Sequence, residues 1–213
     1  MSRVFKDPAS GLSHLVGAAL SAIGLAALLR VGIASHDPWQ IVSFAIFGGS
    51  LILLYSASAV YHLLRAPARV ELVLRKLDHI MIFILIAGTY TPICLIALRG
   101  PAGYAMLAVV WSLAVAGVFF KVFYLNAPRW AYTGIYLLMG WVCIFAIVPL
   151  ARAVGLRRLL WLFAGGVFYS VGAVIYGLKK PNLIPGWLGF HEIFHILIIL
   201  GSLSHFYFVY LLA

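Results

Sequence analysis

Charged residues are scarce in this sequence of 213 residues. They make up 9% of the chain, and only five of them are Asp or Glu. A soluble domain usually carries about 25% charged residues, whereas 65% of this chain is hydrophobic. One water-facing core could not bury so much apolar surface. The shortage of charge therefore excludes an ordinary soluble domain and indicates that much of the chain faces lipid.

Cysteine and long polar stretches are also rare. The two cysteines, Cys94 and Cys143, both lie inside apolar runs. That position argues against a structural disulfide and against a metal site built from thiolates. No polar stretch is long enough for a soluble domain on either side of a membrane. We therefore expect residues 1–213 to form a single transmembrane domain.

What the sequence does contain is seven apolar runs, each close to the roughly 20 residues that a membrane-spanning helix needs. Short breaks rich in Pro, Gly and basic residues separate them. Pro92 and Pro149 fall inside runs and are expected to kink the third and fifth helices. The pattern predicts an all-α bundle of seven transmembrane helices. The predicted spans are Gly11–Val31, Gln40–Leu64, Leu77–Leu98, Gly103–Phe123, Trp130–Ala151, Leu159–Leu178 and Trp187–Leu212.

The basic residues give the chain a net charge of +10. They lie mainly between the apolar runs, where they act as orientation signals and contact anionic lipid, so nucleic-acid binding is not expected. Ten of the fifteen Lys and Arg fall on the side of the predicted bundle that holds the N-terminus. Since cytoplasmic loops carry the excess of basic residues, this predicts a cytoplasmic N-terminus and an external C-terminus.

A few ionisable side chains interrupt the apolar runs, and each costs at least a few kcal/mol inside a bilayer. Span two ends with Ser58 and His62, span three begins with Asp78, and span seven begins with His191 and His195. Successive spans alternate in direction, so all of these positions fall near the cytoplasmic side. Topology alone therefore predicts that they converge on one functional site.

The spacing of these residues favours a metal ion. His191 and His195 are four residues apart and share one helix face, as do Ser58 and His62. Three imidazoles and a water molecule form a common catalytic zinc site, in which Asp78 could hold the water or orient a ligand. The three remaining histidines within spans are expected to bond singly to backbone carbonyls: His14, His79 and His205.

The segment from His191 to His195 also matches the metalloprotease pattern H-E-x-x-H, with Glu192 as the acid. Five-residue patterns occur by chance. An extended protease motif would need Gly at 198 and His at 201, where this chain has Ile198 and Gly201. An intramembrane metalloprotease is therefore a minor alternative.

Three motifs together carry a family resemblance over nearly the whole chain. They are Ser58-x-x-x-His62, the run from Leu77-Asp78-His79 to Thr91-Pro92, and His191-Glu192-Ile193-Phe194-His195. On these motifs the chain resembles the hemolysin III branch of the progestin and adipoQ receptor family, which implies a multi-pass protein of the bacterial inner membrane. The resemblance implies seven helices around one zinc ion near the cytoplasmic side. It also implies the following roles: His62, His191 and His195 as zinc ligands, Asp78 at the activated water and Ser58 beside it.

Three functional hypotheses follow. Alkaline ceramidases share the Ser, His, Asp and double-His pattern, so the first hypothesis is a zinc-dependent hydrolase of a lipid amide or ester within the bilayer. The second is a non-enzymatic, zinc-stabilised sensor or receptor-like protein. The third is a membrane-lysing hemolysin. A membrane lipid is the expected substrate or ligand, and no protein partner is evident.

Overall fold

The structure is a computed structural model that describes residues 5–124, 127–184 and 188–213. Within these ranges it is helical, with one isolated bridge between Ile184 and Leu188. It holds seven helical spans long and apolar enough to cross a membrane. The predicted all-α, seven-span fold is thereby confirmed. The α-helices are α1 (Pro8–Ala34), α2 (Pro38–Leu63), α3 (Ala68–Pro92), α4 (Pro101–Phe123), α5 (Arg129–Gly140), α6 (Ile147–Val154), α7 (Leu156–Leu178) and α8 (Phe190–Tyr210).

Proline and glycine set the helix boundaries. Pro8, Pro38 and Pro101 lie in the first turns of α1, α2 and α4, where the helix needs no backbone N–H donor. Gly155 joins α6 to α7 with φ at +77°, a conformation that favours glycine. Two residues used in the predictions from sequence lie outside the described residues. They are Trp187, the predicted start of the seventh span, and Arg3, one of the ten basic residues counted on the side of the N-terminus.

The third helix begins well before its predicted start. The apolar run starts at Leu77, but α3 begins at Ala68, directly after Pro67. The added turns carry Arg69 and Glu71, which an apolar-run criterion leaves out. Nothing in this segment breaks a helix, so the helix extends beyond its apolar part.

Two spans are irregular close to an internal proline, as expected. After Pro92, α3 continues as a π-helical turn over Ile93–Ala97. The fifth span is divided into α5 and α6 by a 3₁₀ stretch, Trp141–Ala146. Pro149 lacks an N–H, and its ring crowds the carbonyl four residues earlier, which lies in that stretch. The hydroxyl of Tyr90 bonds to two backbone groups at the start of that stretch, on Gly140 and Cys143.

Helix packing brings together segments that are far apart in sequence. α1 packs on α2, α2 on α3, and α7 on α8, while α8 also packs against α1. Phe44, Phe47 and Phe208 are fully buried in the core that these helices share. The outward faces carry large exposed apolar side chains such as Phe145, 88% exposed. Because α8 closes the bundle against α1, its first turns lie next to the end of α2.

Candidate metal centre

Three histidines from two helices converge at one end of the bundle. His62 lies in the last turn of α2, and His191 and His195 lie in the first turns of α8. One ring nitrogen of each lies within 4.8 Å of the others. The convergence predicted from span direction is thus present in the structure. Which leaflet this end faces stays a prediction.

The donor set fits a zinc ion. Two nitrogens bound at 2.0–2.1 Å in tetrahedral geometry lie about 3.3 Å apart, and Nε2 of His191 lies 3.4 Å from Nε2 of His62. His62 and His195 are buried, and His191 is half-buried. Neutral imidazoles in a dry environment are good ligands for zinc and other transition metals. The cluster therefore has the ligand type, spacing and burial of a three-histidine metal centre.

A cavity lies beside this cluster in the interior of the bundle. Its volume is about 280 Å³, close to the lower end of ligand pockets. Asp78 and Ser58 line its wall together with His191 and His195. Within the described part of the chain, neither Asp78 nor Ser58 forms a hydrogen bond with the three rings. Both predicted catalytic residues therefore line the same cavity as His191 and His195.

Apolar side chains from several elements line the same cavity. Among them are Leu85 of α3, Ile144 of the 3₁₀ stretch, Phe163 of α7 and Ile198 of α8.

Glu192 has a structural role that the sequence left open. Its Oε2 accepts a hydrogen bond from the backbone N–H of Gly189, at 2.8 Å. This contact caps the first turn of α8, where an acid also interacts favourably with the helix dipole. Glu192 is not among the cavity-lining residues, whereas Asp78 is. The arrangement disfavours the metalloprotease alternative, in which Glu192 would act on a bound water.

Asp7 is a site residue that sequence analysis missed. Its Oδ2 lies 3.2 Å from Nδ1 of His62. Burial raises the pKa of the Asp7 carboxyl, but the His62 ring and the Ser10 hydroxyl together outweigh burial and hold that pKa below its ordinary value. Asp7 precedes the first span and is far from His62 in sequence. Only the tertiary structure reveals the pair.

The other histidines divide into two kinds. His79 bonds through Nδ1 to the Arg75 carbonyl at 2.7 Å, and His205 through Nε2 to the Leu162 carbonyl at 3.0 Å, as predicted. For His14 the prediction is wrong. Neither of its ring nitrogens has a hydrogen-bond partner in the described residues. The ring instead stacks on that of His195, with centroids 3.8 Å apart, and lines the cavity.

Comparison with known proteins finds related sequences over nearly the whole chain. The family model described as "Haemolysin-III related" matches residues 2–206. The chain is 37% identical to the hemolysin-3 homolog of Bacillus subtilis (strain 168) over 207 residues, which cover 97% of this chain and 94% of that protein. It is 38% identical to hemolysin-3 of Bacillus cereus over 204 residues, 96% of this chain and 90% of that protein. Human monocyte to macrophage differentiation factor is 26% identical over 189 residues, 87% of this chain and 75% of that protein.

Proposed function

This chain belongs to the haemolysin-III-related family, and from that membership and its histidine cluster we propose that it is a zinc-dependent hydrolase of a lipid amide or ester. Its seven apolar spans and its bacterial relatives make it a multi-pass protein of the bacterial plasma membrane. One observation carries the proposal. Three histidines lie close together, and two of them, His191 and His195, line a mainly apolar cavity that Asp78 and Ser58 also line.

In this proposal His62, His191 and His195 hold the zinc ion. Zinc bound in such a site lowers the pKa of water towards about 7 and polarises a carbonyl. The cavity gives the acyl chain an apolar environment and positions the carbonyl of its head group near the three rings. Burial of this end of the site keeps bulk water away from the reacting groups.

Two side chains on the cavity wall move or hold protons. Asp78 accepts a proton from the attacking water and passes it to the leaving amine or alcohol. The Ser58 hydroxyl donates a hydrogen bond to the carbonyl oxygen as negative charge develops on it. Glu192 stays at the Gly189 N–H as a helix cap.

The decisive experiment measures turnover of defined lipids by the purified protein. We would supply ceramides and acyl esters in detergent or liposomes and detect released fatty acid by mass spectrometry. Comparison of lipid extracts from cells with and without the protein would select the lipids to test. Release that depends on the wild-type chain, and that is lost in the His191→Ala variant, supports the hydrolase. No release from any lipid that accumulates in cells lacking the protein favours the sensor instead.

Membrane lysis, the third hypothesis, is also tested because the Bacillus cereus relative carries the name hemolysin-3. A pore predicts leakage of a trapped dye from liposomes that contain the protein. The cavity of this chain is lined mainly by apolar side chains. An apolar lining suits a lipid-binding site better than a water-filled channel.

A further inference from the structure

The short segment before α1 is attached to the end of α2 at the candidate metal centre. We call Phe5–Asp7 the N-terminal arm. The backbone N–H of Asp7 donates to the His62 carbonyl at 2.8 Å, and Arg65 donates through Nη2 to the Phe5 carbonyl at 3.2 Å. Lys6 forms an ion pair with Glu71 of α3. These contacts fix the arm beside the last turn of α2.

The side chain of Asp7 contacts His62 and does not cap the backbone of its own helix. Asp7 is the N-cap residue of α1, and Pro8 follows it. An N-cap Asp usually accepts a hydrogen bond from the first turn of its helix, a contact worth about 1 kcal/mol. Asp7 forms no such bond, and its Oδ2 instead lies 3.2 Å from Nδ1 of His62. Its carboxylate therefore contacts the His62 ring and does not cap α1.

We propose that Asp7 is a positioning residue that prepares His62 for the metal. A carboxylate at Nδ1 keeps the hydrogen on that atom, so the lone pair of the neutral ring is on Nε2. Nε2 is the atom that faces His191, at 3.4 Å. The same contact fixes the ring plane and makes the ring a stronger ligand. This inference rests on the proposed zinc site and adds a residue from outside the seven spans.

Zinc affinity of the full-length protein in detergent tests the inference without any substrate. Competition with a chromophoric chelator would compare the wild type with Asp7→Ala, Asp7→Asn and Asp7→Glu. Loss of such a supporting contact typically costs 10- to 100-fold in metal affinity, and we expect that loss for Asp7→Ala. Asp7→Asn retains an oxygen acceptor without the charge, so its zinc affinity should fall between those of the wild type and Asp7→Ala. Asp7→Glu keeps the carboxylate and should recover part of the lost affinity.

A matched variant separates ring positioning from attachment of the arm. Glu71→Gln removes the partner of Lys6 but leaves Asp7 intact, and it should change zinc affinity by no more than about twofold because an exposed ion pair contributes little. Cobalt substituted for zinc gives a second readout. Its visible absorption spectrum should shift in Asp7→Ala and stay unchanged in Glu71→Gln.

Each other result has a distinct meaning. If Asp7→Ala binds zinc as tightly as the wild type while His62→Ala does not bind it, the role of Asp7 is refuted and the zinc site stands. If Glu71→Gln weakens zinc binding as much as Asp7→Ala, the arm acts only as an anchor, and the proposal is again refuted. Full zinc binding by His62→Ala would instead overturn the proposed zinc site itself.

Discussion

Two carboxylates near the three histidines have different surroundings, and this difference supports different roles in the proposed hydrolysis. Asp78 lines the cavity, while Glu192 accepts a hydrogen bond from the N–H of Gly189. A general base must reach the proton that it removes, directly or through one water molecule. The position of Asp78 at the cavity supports it as the proposed base, whereas Glu192 is engaged at the helix end.

We therefore expect Asp78→Asn to lower lipid turnover by about 10²–10⁴-fold, the usual cost of losing a general base. Zinc content should not change, because the three ligand nitrogens are intact. Glu192→Gln should retain turnover within about tenfold, since its amide oxygen can still accept the Gly189 N–H. Turnover and elemental analysis on the same preparations check both statements. The reverse order of effects would favour a protease-like role for Glu192, and no effect from either would leave zinc as a structural link between α2 and α8.

His14 supports the metal centre by packing and not by hydrogen bonding. The ring is 3% exposed and stacks on the His195 ring, and its nitrogens have no partner in the described residues. His14→Phe retains a flat ring, so zinc affinity should stay within about threefold. His14→Ala opens a cavity beside a ligand ring and should destabilise the fold by on the order of 2 kcal/mol. Thermal unfolding and zinc competition measure the two effects. A loss of zinc in His14→Phe beyond tenfold would make His14 a fourth ligand.

At the scale of the helices, the fifth span depends on a side chain from the third. The Tyr90 hydroxyl donates to the Gly140 carbonyl and accepts the Cys143 N–H, each at 2.8 Å. These backbone groups lie at the start of the 3₁₀ stretch, where the regular helical ladder is interrupted. Within a bilayer no water can replace such a partner, so an unsatisfied group costs several kcal/mol.

Tyr90→Phe should therefore lower the unfolding free energy by about 2–3 kcal/mol. Tyr104→Phe is a matched control, because Tyr104 is 42% exposed at the start of α4 and its ring contact with Trp39 persists without the hydroxyl. Thermal unfolding in the same detergent compares the two variants. Equal melting temperatures for Tyr90→Phe and Tyr104→Phe would mean that the hydroxyl does not stabilise the interrupted span.

Some features of the helices can be predicted from the sequence, and others cannot. Apolar runs predict all seven spans, because length and hydropathy are what the bilayer selects. They do not predict the start of α3 at Ala68, since its first turns are charged and lie beyond the apolar run. The 3₁₀ stretch has only Pro149 as a local signal, and its partner Tyr90 belongs to another span. The three histidines follow from span direction, whereas Asp7 precedes the first span and could be found only from its contact with His62.

At the scale of the whole molecule, the distribution of basic residues predicts an orientation that the bundle alone does not reveal. The sequence predicts that ten of the fifteen Lys and Arg lie on the side of the N-terminus. The arm, the end of α2 and the first turn of α8 meet at that same end, so the candidate metal centre shares its side. If the positive-inside rule holds here, the metal centre lies near the cytoplasm and a lipid substrate is cleaved in the inner leaflet.

Cysteine labelling of intact cells tests this orientation. Replacing Cys94 and Cys143 by Ala gives a background without thiols, and Arg69→Cys and Ser35→Cys then place one thiol at either end of the bundle. Both positions are exposed. We expect a membrane-impermeant maleimide to label Ser35→Cys from outside and to label Arg69→Cys only after the cells are opened. Labelling of Arg69→Cys in intact cells would invert the orientation, and the three histidines would then face the outer leaflet. Because either result fixes the leaflet, it also determines whether candidate lipids for the turnover assay come from the inner or the outer half of the membrane.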